Sequence, residues 1–210
     1  MNREIPIVLA MNCGSIKLMD PLINSIFKHM PNSKIYLITD DYPRELYPWI
    51  YRMHILRLTC DTKFRNWTKN MYMKMYIDEC FPELEECIYL DFDVIVCEDI
   101  SDLLDGDDWI LKASEYRPDY FNSGVLAFRF TDECKELLKE CRSRITEDTH
   151  DEMIFNEVFK DKTYFVDRSY NVLAQPYCDS WENAKIIHYQ GQPKPWHINK
   201  RITEYFKYLK

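Results

Sequence analysis

Glycine is scarce, at 4 of 210 residues, so each glycine marks a position with a local job. The 8 cysteines (13, 60, 80, 87, 97, 134, 141 and 178) form no CxxC pair and show no zinc-ligand spacing. Several sit in apolar stretches, as buried free thiols do, which fits a reducing compartment. No apolar run reaches the ~18–20 residues of a membrane span. The run at 5–9 is too short and too poorly flanked for a signal peptide, so a soluble, cytoplasmic protein is expected. Positive charge is in deficit, with 27 Lys and Arg against 35 Asp and Glu. A net charge of −8 disfavours a nucleic-acid groove. It leaves room for an anionic small-molecule substrate, because a bound cation inverts the local field. No internal repeat, low-complexity tract or linker stands out. A single domain over 1–210 is expected, as one protein or as a module of a longer one, and the sequence assigns no oligomeric state.

What is present is enough for a core: 46% hydrophobic, 15% aromatic and 30% charged residues argue against disorder. Apolar spacing predicts strands over 5–11, 35–39 and 54–58, with helices over 18–30 and 67–80. Further strands are expected at 110–114, 124–129 and 185–189, and helices at 131–145, 149–159 and 202–209. Thr131 is a plausible N-cap. Strand–helix alternation of this kind builds an α/β domain with a mostly parallel sheet, and ligands bind beyond the carboxyl ends of such strands.

The stretch 87–99 is an apolar strand interrupted by Asp91 and Asp93. Ionised carboxylates in such a run need a positive partner. In extended chain the two share one side, and two hard oxygen ligands there suit Mg²⁺ or Mn²⁺. The bland alternative is a strand that ends at Asp91 with both carboxylates solvated in a turn. Three other segments invite a similar choice. Asn122-Ser123-Gly124 offers hydrogen-bonding groups suited to sugar hydroxyls, or an ordinary turn before a strand. Asp151 and Glu152 open a helix and either cap it or aim into a site. His188, Gly191, Lys194 and Trp196 form a proline-stiffened loop in which an imidazole can ligate a metal and a lysine can hold a phosphate.

Taken in order, these segments resemble the retaining GT-A glycosyltransferases of glycosyltransferase family 8, of the glycogenin and lipopolysaccharide galactosyltransferase type. The matching pieces are 89–96, 118–125, 151–156 with Phe159, and 188–196. Ala10-Met11-Asn12 is similar to the end of the family's first strand. The resemblance implies a GT-A, Rossmann-like mixed sheet flanked by helices. A nucleotide-binding part would occupy about 1–97, and a donor-sugar and acceptor part about 98–210. It implies Mn²⁺ or Mg²⁺ held by Asp91, Asp93 and His188, with Asp91 also near the ribose of a UDP-sugar. Lys194 and Gly191 would meet the diphosphate, Ala10 and Asn12 would border the uridine, and Lys74 would reach the donor. Asp119, Asn122, Ser123 and Trp196 would bind the substrate, the first three recognising the donor sugar. Asp151 and Glu152 would lie beside the anomeric carbon. The partners implied are the nucleotide sugar and a glycan or glycoprotein acceptor. Glu152 departs from the family's usual glutamine, and the bulky Phe92 inside the Asp-x-Asp pair is expected to pack into the core. Two rival readings stay open on sequence: a haloacid-dehalogenase-type phosphatase, whose Asp-x-Asp strand is similar, and a sugar-nucleotide-binding module without turnover.

Overall fold

Along the first strand, β1 (Ile5–Ala10), alternate side chains part to two sides, Ile7 and Leu9 into one apolar cluster and Val8 and Ala10 into another. The same division recurs in β2 (Ser33–Thr39), where Ile35 and Leu37 face one way and Tyr36 and Ile38 the other. A sheet buried on both faces is the result, as the continuous apolar runs demand. The computed structural model describes residues 3–45, 47–59, 69–174, 182–191 and 194.

Between β1 and β2 run a 3₁₀ turn, Cys13–Met19, and α1 (Asp20–His29), which has Pro21 in its first turn. Next come β3 (Ile50–Ile55), a 3₁₀ segment Lys69–Tyr76 and α2 (Ile77–Cys80). The centre follows with β4 (Glu86–Leu90) and β5 (Val94–Val96). A hairpin of β6 (Leu111–Arg117) and β7 (Tyr120–Arg129) leads to α3 (Asp132–Ser143) and α4 (Asp151–Val158). The described chain closes with β8 (Thr163–Val166), a 3₁₀ turn Arg168–Asn171, β9 (Val172–Leu173) and β10 (Ile186–His188).

Seven strands make the main sheet in the order β3-β2-β1-β4-β7-β6-β8. Four of its six pairings are parallel, and β7 runs antiparallel to both β4 and β6. The strand order reverses between β1 and β4, so their carboxyl ends border the crevice where α/β sheets take ligands. A second sheet, β5-β10-β9, stands beside it. No helix among the described residues is long and apolar enough to cross a membrane. The six described cysteines are free thiols.

Several elements differ from the sequence expectation. Within the stretch predicted as a helix over 67–80, Lys69–Tyr76 winds as 3₁₀ before one α-turn, and Tyr72, Met73, Lys74 and Met75 are buried in succession. One face of an α-helix cannot bury four consecutive side chains, and the tighter segment is enclosed on all sides. The predicted helix over 18–30 likewise begins as 3₁₀. The third strand starts at Ile50 rather than at 54, because this edge strand carries exposed Tyr51 and Arg52 that apolar counting passes over. β7 begins at Tyr120, so Asn122-Ser123-Gly124 lies inside a strand rather than in a turn before one. The turn is at Pro118-Asp119, where Asp119 adopts φ 55°. Phe92 is half-buried and packs against the α1-side cluster. The predicted helix over 202–209 lies outside the described residues.

Thr131 does cap α3, its side chain accepting from the Cys134 N–H at 3.2 Å. Thr131→Ala is expected to lower stability by about 1 kcal/mol in urea denaturation, with Thr131→Ser close to wild type.

Candidate active site

The main sheet and the small sheet part at Asp91. β4 ends at Leu90, the Asp91 N–H donates to the Gly124 carbonyl at 2.7 Å, and the chain turns through Phe92 and Asp93 into β5. β10 pairs antiparallel with β5, His188 opposite Val94, and the Tyr189 N–H donates to the Asp93 carbonyl at 2.9 Å. That register sets the His188 imidazole against the turn. Its Nε2 lies 3.4 Å from Asp93 Oδ1 and 4.0 Å from Asp91 Oδ2. One ligand atom from each of the three residues lies within 4.8 Å of the others. The carboxylates converge because the backbone turns between them. The extended-chain argument from their i, i+2 spacing does not describe this geometry.

Each carboxylate is held by its outer oxygen. Asp91 Oδ1 accepts from the Tyr89 hydroxyl at 2.6 Å and from Lys74 Nζ at 3.2 Å. Asp93 Oδ2 pairs with Lys194 Nζ, which also donates to the Tyr189 carbonyl at 3.0 Å. The inner oxygens, Asp91 Oδ2 and Asp93 Oδ1, therefore face the imidazole. Burial alone would raise the Asp93 carboxyl, but the His188 and Lys194 charges outweigh it and hold its pKa at about 2. Two carboxylate oxygens and one imidazole nitrogen form a donor set that fits Mn²⁺ or Mg²⁺, with the nitrogen favouring Mn²⁺.

Behind the carboxylates sits Lys74, only 1% exposed. Its Nζ contacts Asp151 Oδ2 at 2.8 Å, Asp91 Oδ1 at 3.2 Å and the Ser123 carbonyl at 2.9 Å, and lies 4.7 Å from the Tyr89 ring centre. Asp151 also accepts from the Ser123 hydroxyl at 2.6 Å. Burial pushes both groups toward neutrality, and their mutual attraction outweighs it. Lys74 is raised by the Asp151 and Asp91 charges, and Asp151 is lowered by the Lys74 charge and the Lys74 and Ser123 hydrogen bonds.

Glu152, the next residue of α4, accepts from Asn122 Nδ2 at 2.7 Å. Burial raises its carboxyl above the usual range, and the Asp151 charge adds to the rise. Tyr120 shares this corner, its hydroxyl pushed up to about 12 by burial and by the Glu152 charge. Asn156 ties α4 to β7, exchanging hydrogen bonds with the Phe121 backbone at 2.9 and 2.8 Å. The structure thus gathers Asp91, Asp93, His188, Lys194, Lys74, Ser123, Asp151, Asn122 and Glu152. Ala10 ends β1 one strand away, and Asn12 follows at the N-cap of the 3₁₀ turn. Gly191 is exposed, with φ 79°, so its backbone conformation calls for glycine. Asp119 stands apart, exposed at the hairpin tip, its N–H donating to Glu115 at 3.3 Å. Trp196 lies outside the described residues.

Three participants escaped the sequence reading. Tyr89 had a signal, since it lies two residues before Asp91 on an apolar strand. Asn171, whose side chain meets both His188 and Asn122, had none. Gly124 carried only the general mark of a scarce glycine, and what its bare Cα must admit was not visible. A Cβ there would collide with the His188 ring and sit 2.8 Å from Asp91 Oδ2.

Comparison with known proteins decides the family. The sequence profile of glycosyl transferase family 8 matches residues 50–200, most of the chain. The chain belongs to this family. Membership in family 8 displaces the phosphatase reading. Among curated relatives, glycosyltransferase GlyA of Streptococcus pneumoniae is 26% identical over 90% of this chain and 32% of its own length. Glycosyltransferase GlyE of the same organism is 25% identical, over 93% of this chain and 57% of its own length. Glycogenin-1 of Oryctolagus cuniculus is 25% identical over 64% of this chain and 41% of its own length. The chain thus spans 32–57% of the curated relatives GlyA and GlyE. An active-site mutant of LgtC superposes with a TM-score of 0.76 at 17% identity, covering 97% of this chain and 94% of that one. Apo GlyE superposes with a TM-score of 0.73 at 22% identity. At those identities the likeness is one of fold, and the fold is GT-A.

Replacing Lys74 with Met leaves Asp151 buried without its partner, and a loss of about 3–5 kcal/mol in urea denaturation is expected. Lys74→Met with Asp151→Asn should recover part of it. Asp151 is lowered in the fold, so its contribution is present above the ordinary carboxylate value and is lost as pH falls through the lowered one. Stability of wild type should therefore drop more steeply below about pH 4 than that of Asp151→Asn. Gly124→Ala is expected to fold with reduced stability and to weaken Mn²⁺ binding, read by calorimetry, because the His188 ring must move away from Asp91.

Proposed function

We propose that the chain is a metal-dependent, retaining glycosyltransferase that moves a sugar from a UDP-sugar to a glycan or protein-linked glycan. The observation that carries this reading is the convergence of Asp91, Asp93 and His188 at the carboxyl ends of β1 and β4, with Lys194 against Asp93. Asp91, Asp93 and His188 would hold Mn²⁺, and the ion would supply positive charge against the charge that builds on the departing diphosphate. Lys194 adds a second cation on the same side and, freed from Asp93, can hold a phosphate oxygen. Ala10 and Asn12 border the uridine, and Gly191 lets the backbone turn close to the diphosphate. Asn122 and Ser123 belong to the sugar end, whereas Asp119, exposed at the hairpin tip, does not reach it.

Asp151 is committed to Lys74 and Ser123, so it orients rather than reacts. Glu152 is the carboxylate whose second partner is a partly exposed tyrosine, and it faces the developing positive charge at the anomeric carbon. The bond from the anomeric carbon to the diphosphate oxygen breaks, the acceptor oxygen forms the new glycosidic bond from the same side, and its proton passes to the departing phosphate oxygen. LgtC has been seen in complex with donor and acceptor sugar analogs, and glycogenin-1 shares 25% identity with this chain. The LgtC complex supports a reaction between a sugar donor and a sugar acceptor.

Turnover of a panel of UDP-sugars, with Mn²⁺ and in EDTA, tests the proposal. Activity is expected only with the metal, and Asp93→Ala and His188→Ala should lose at least about 100-fold. Full activity in EDTA or in either variant would remove the metal role. UDP binding without hydrolysis or transfer would make the chain a binding module. Glu152→Ala should lower kcat with little change in KM, and wild-type turnover would exclude it from the chemistry.

A further inference from the structure

Asn122, Asn171 and His188 are 4%, 7% and 2% exposed, so their polar atoms must find partners inside the protein. Their contacts form one chain, and its direction follows from two groups whose roles admit no choice. The Gly124 backbone N–H only donates, and it lies 3.0 Å from the Asn122 side chain. That side-chain atom is therefore the oxygen. Asn122 then turns its amide nitrogen to Glu152, 2.7 Å away, where a carboxylate oxygen accepts. The Asn171 side chain approaches the same Asn122 oxygen at 3.1 Å, so it must present its own amide nitrogen there. Its oxygen is left for His188 Nδ1, at 3.0 Å. An amide oxygen only accepts, so Nδ1 carries the proton. In the neutral ring the lone pair then falls on Nε2, the atom facing Asp91 and Asp93.

We infer that Asn171 is the positioning residue for the His188 imidazole, fixing its tautomer and ring plane through Nδ1 so that Nε2 is presented bare to a divalent cation. Asn122 keys Asn171 in turn, so the order of donors and acceptors runs from the β7 backbone to the ring without passing through solvent. This deepens the metal reading of the same site and rests on it for its consequence, though not for the tautomer itself. Asn171 reaches His188 because the 3₁₀ turn leads directly into β9, which pairs parallel with β10, Leu173 beside His188.

Two measurements on the full chain test it. Two-bond proton–nitrogen correlation spectra of isotope-labelled protein, with His188 assigned from its loss in His188→Gln, report which ring nitrogen holds the proton when the ring is neutral. Wild type should show the proton on Nδ1, and Asn171→Leu should lose that preference. Mn²⁺ titration followed by electron paramagnetic resonance should show about 10- to 100-fold weaker binding in Asn171→Leu. Asn171→Asp gives up the donor to Asn122 but keeps an acceptor for Nδ1, so its neutral ring should still carry the proton on Nδ1, which mere loss of packing would not produce. A wild-type ring protonated on Nε2, or a folded Asn171→Leu that binds Mn²⁺ as wild type does, would overturn the inference. If Asn171→Leu fails to fold, the wild-type spectrum and Asn171→Asp decide. If wild type binds no Mn²⁺, the metal reading falls, and the wild-type spectrum alone judges the tautomer.

Discussion

Three carboxylates, those of Asp91, Asp93 and Asp151, meet in a region from which water is largely excluded, and the structure depends on the cations that make this possible. Lys74 serves Asp91 and Asp151 from behind, and Lys194 serves Asp93 from the side. A buried carboxylate without a partner either neutralises or pulls the fold apart. The arrangement therefore constrains backbone as well as side chains. It explains why the segment at Lys69–Tyr76 is wound so tightly. A fully enclosed lysine has to leave a fully enclosed stretch of chain, and the apolar neighbours Tyr72, Met73 and Met75 supply that enclosure.

The two lysines differ in what they leave free. Lys74 is surrounded by Asp91, Asp151, Ser123 and the Tyr89 ring, so its charge is spent inside the protein. Lys194 binds Asp93 and one carbonyl, and its neighbour on the approach side is the face of Phe92, 5.9 Å away. The first is part of the framework that keeps Asp91 Oδ2 aimed inward. In the proposed function the second exchanges a carboxylate for a phosphate when a ligand arrives. The contrast follows from depth: the same side-chain type has a structural role under the sheet and, under that proposal, a binding role at its rim.

Much of the fold was legible because β1, β2 and β4 are buried on both faces and write themselves as apolar runs. β8 and β9 were not foreseen. They are short, half-exposed strands whose existence depends on partners distant in sequence. The segment holding Lys74 read as a helix because i, i+3 and i+4 spacing does not distinguish an amphipathic α-helix from a tighter, fully buried turn. In the candidate site, the order of Asp91, Asp93, Asn122, Asp151 and His188 was visible, and so was their kinship to family 8. The geometry that joins them was not. It depends on a turn at Phe92, on the β5–β10 register and on the missing side chain at Gly124, none of which has a pattern along one strand. Asn171 was invisible for a simpler reason: an asparagine in a short turn gives no sign of the ring it touches.

The small sheet has one more consequence. Asp91 and Asp93 are made early in the chain and His188 late, and the ring is brought to them by a strand of only three residues. During synthesis on the ribosome the large sheet has most of its strands before that strand emerges. A nascent chain can therefore be well ordered and still hold only two of the three proposed metal ligands. Competence for catalysis would then arrive as a last, separate event, when the closing strand slides in beside β5.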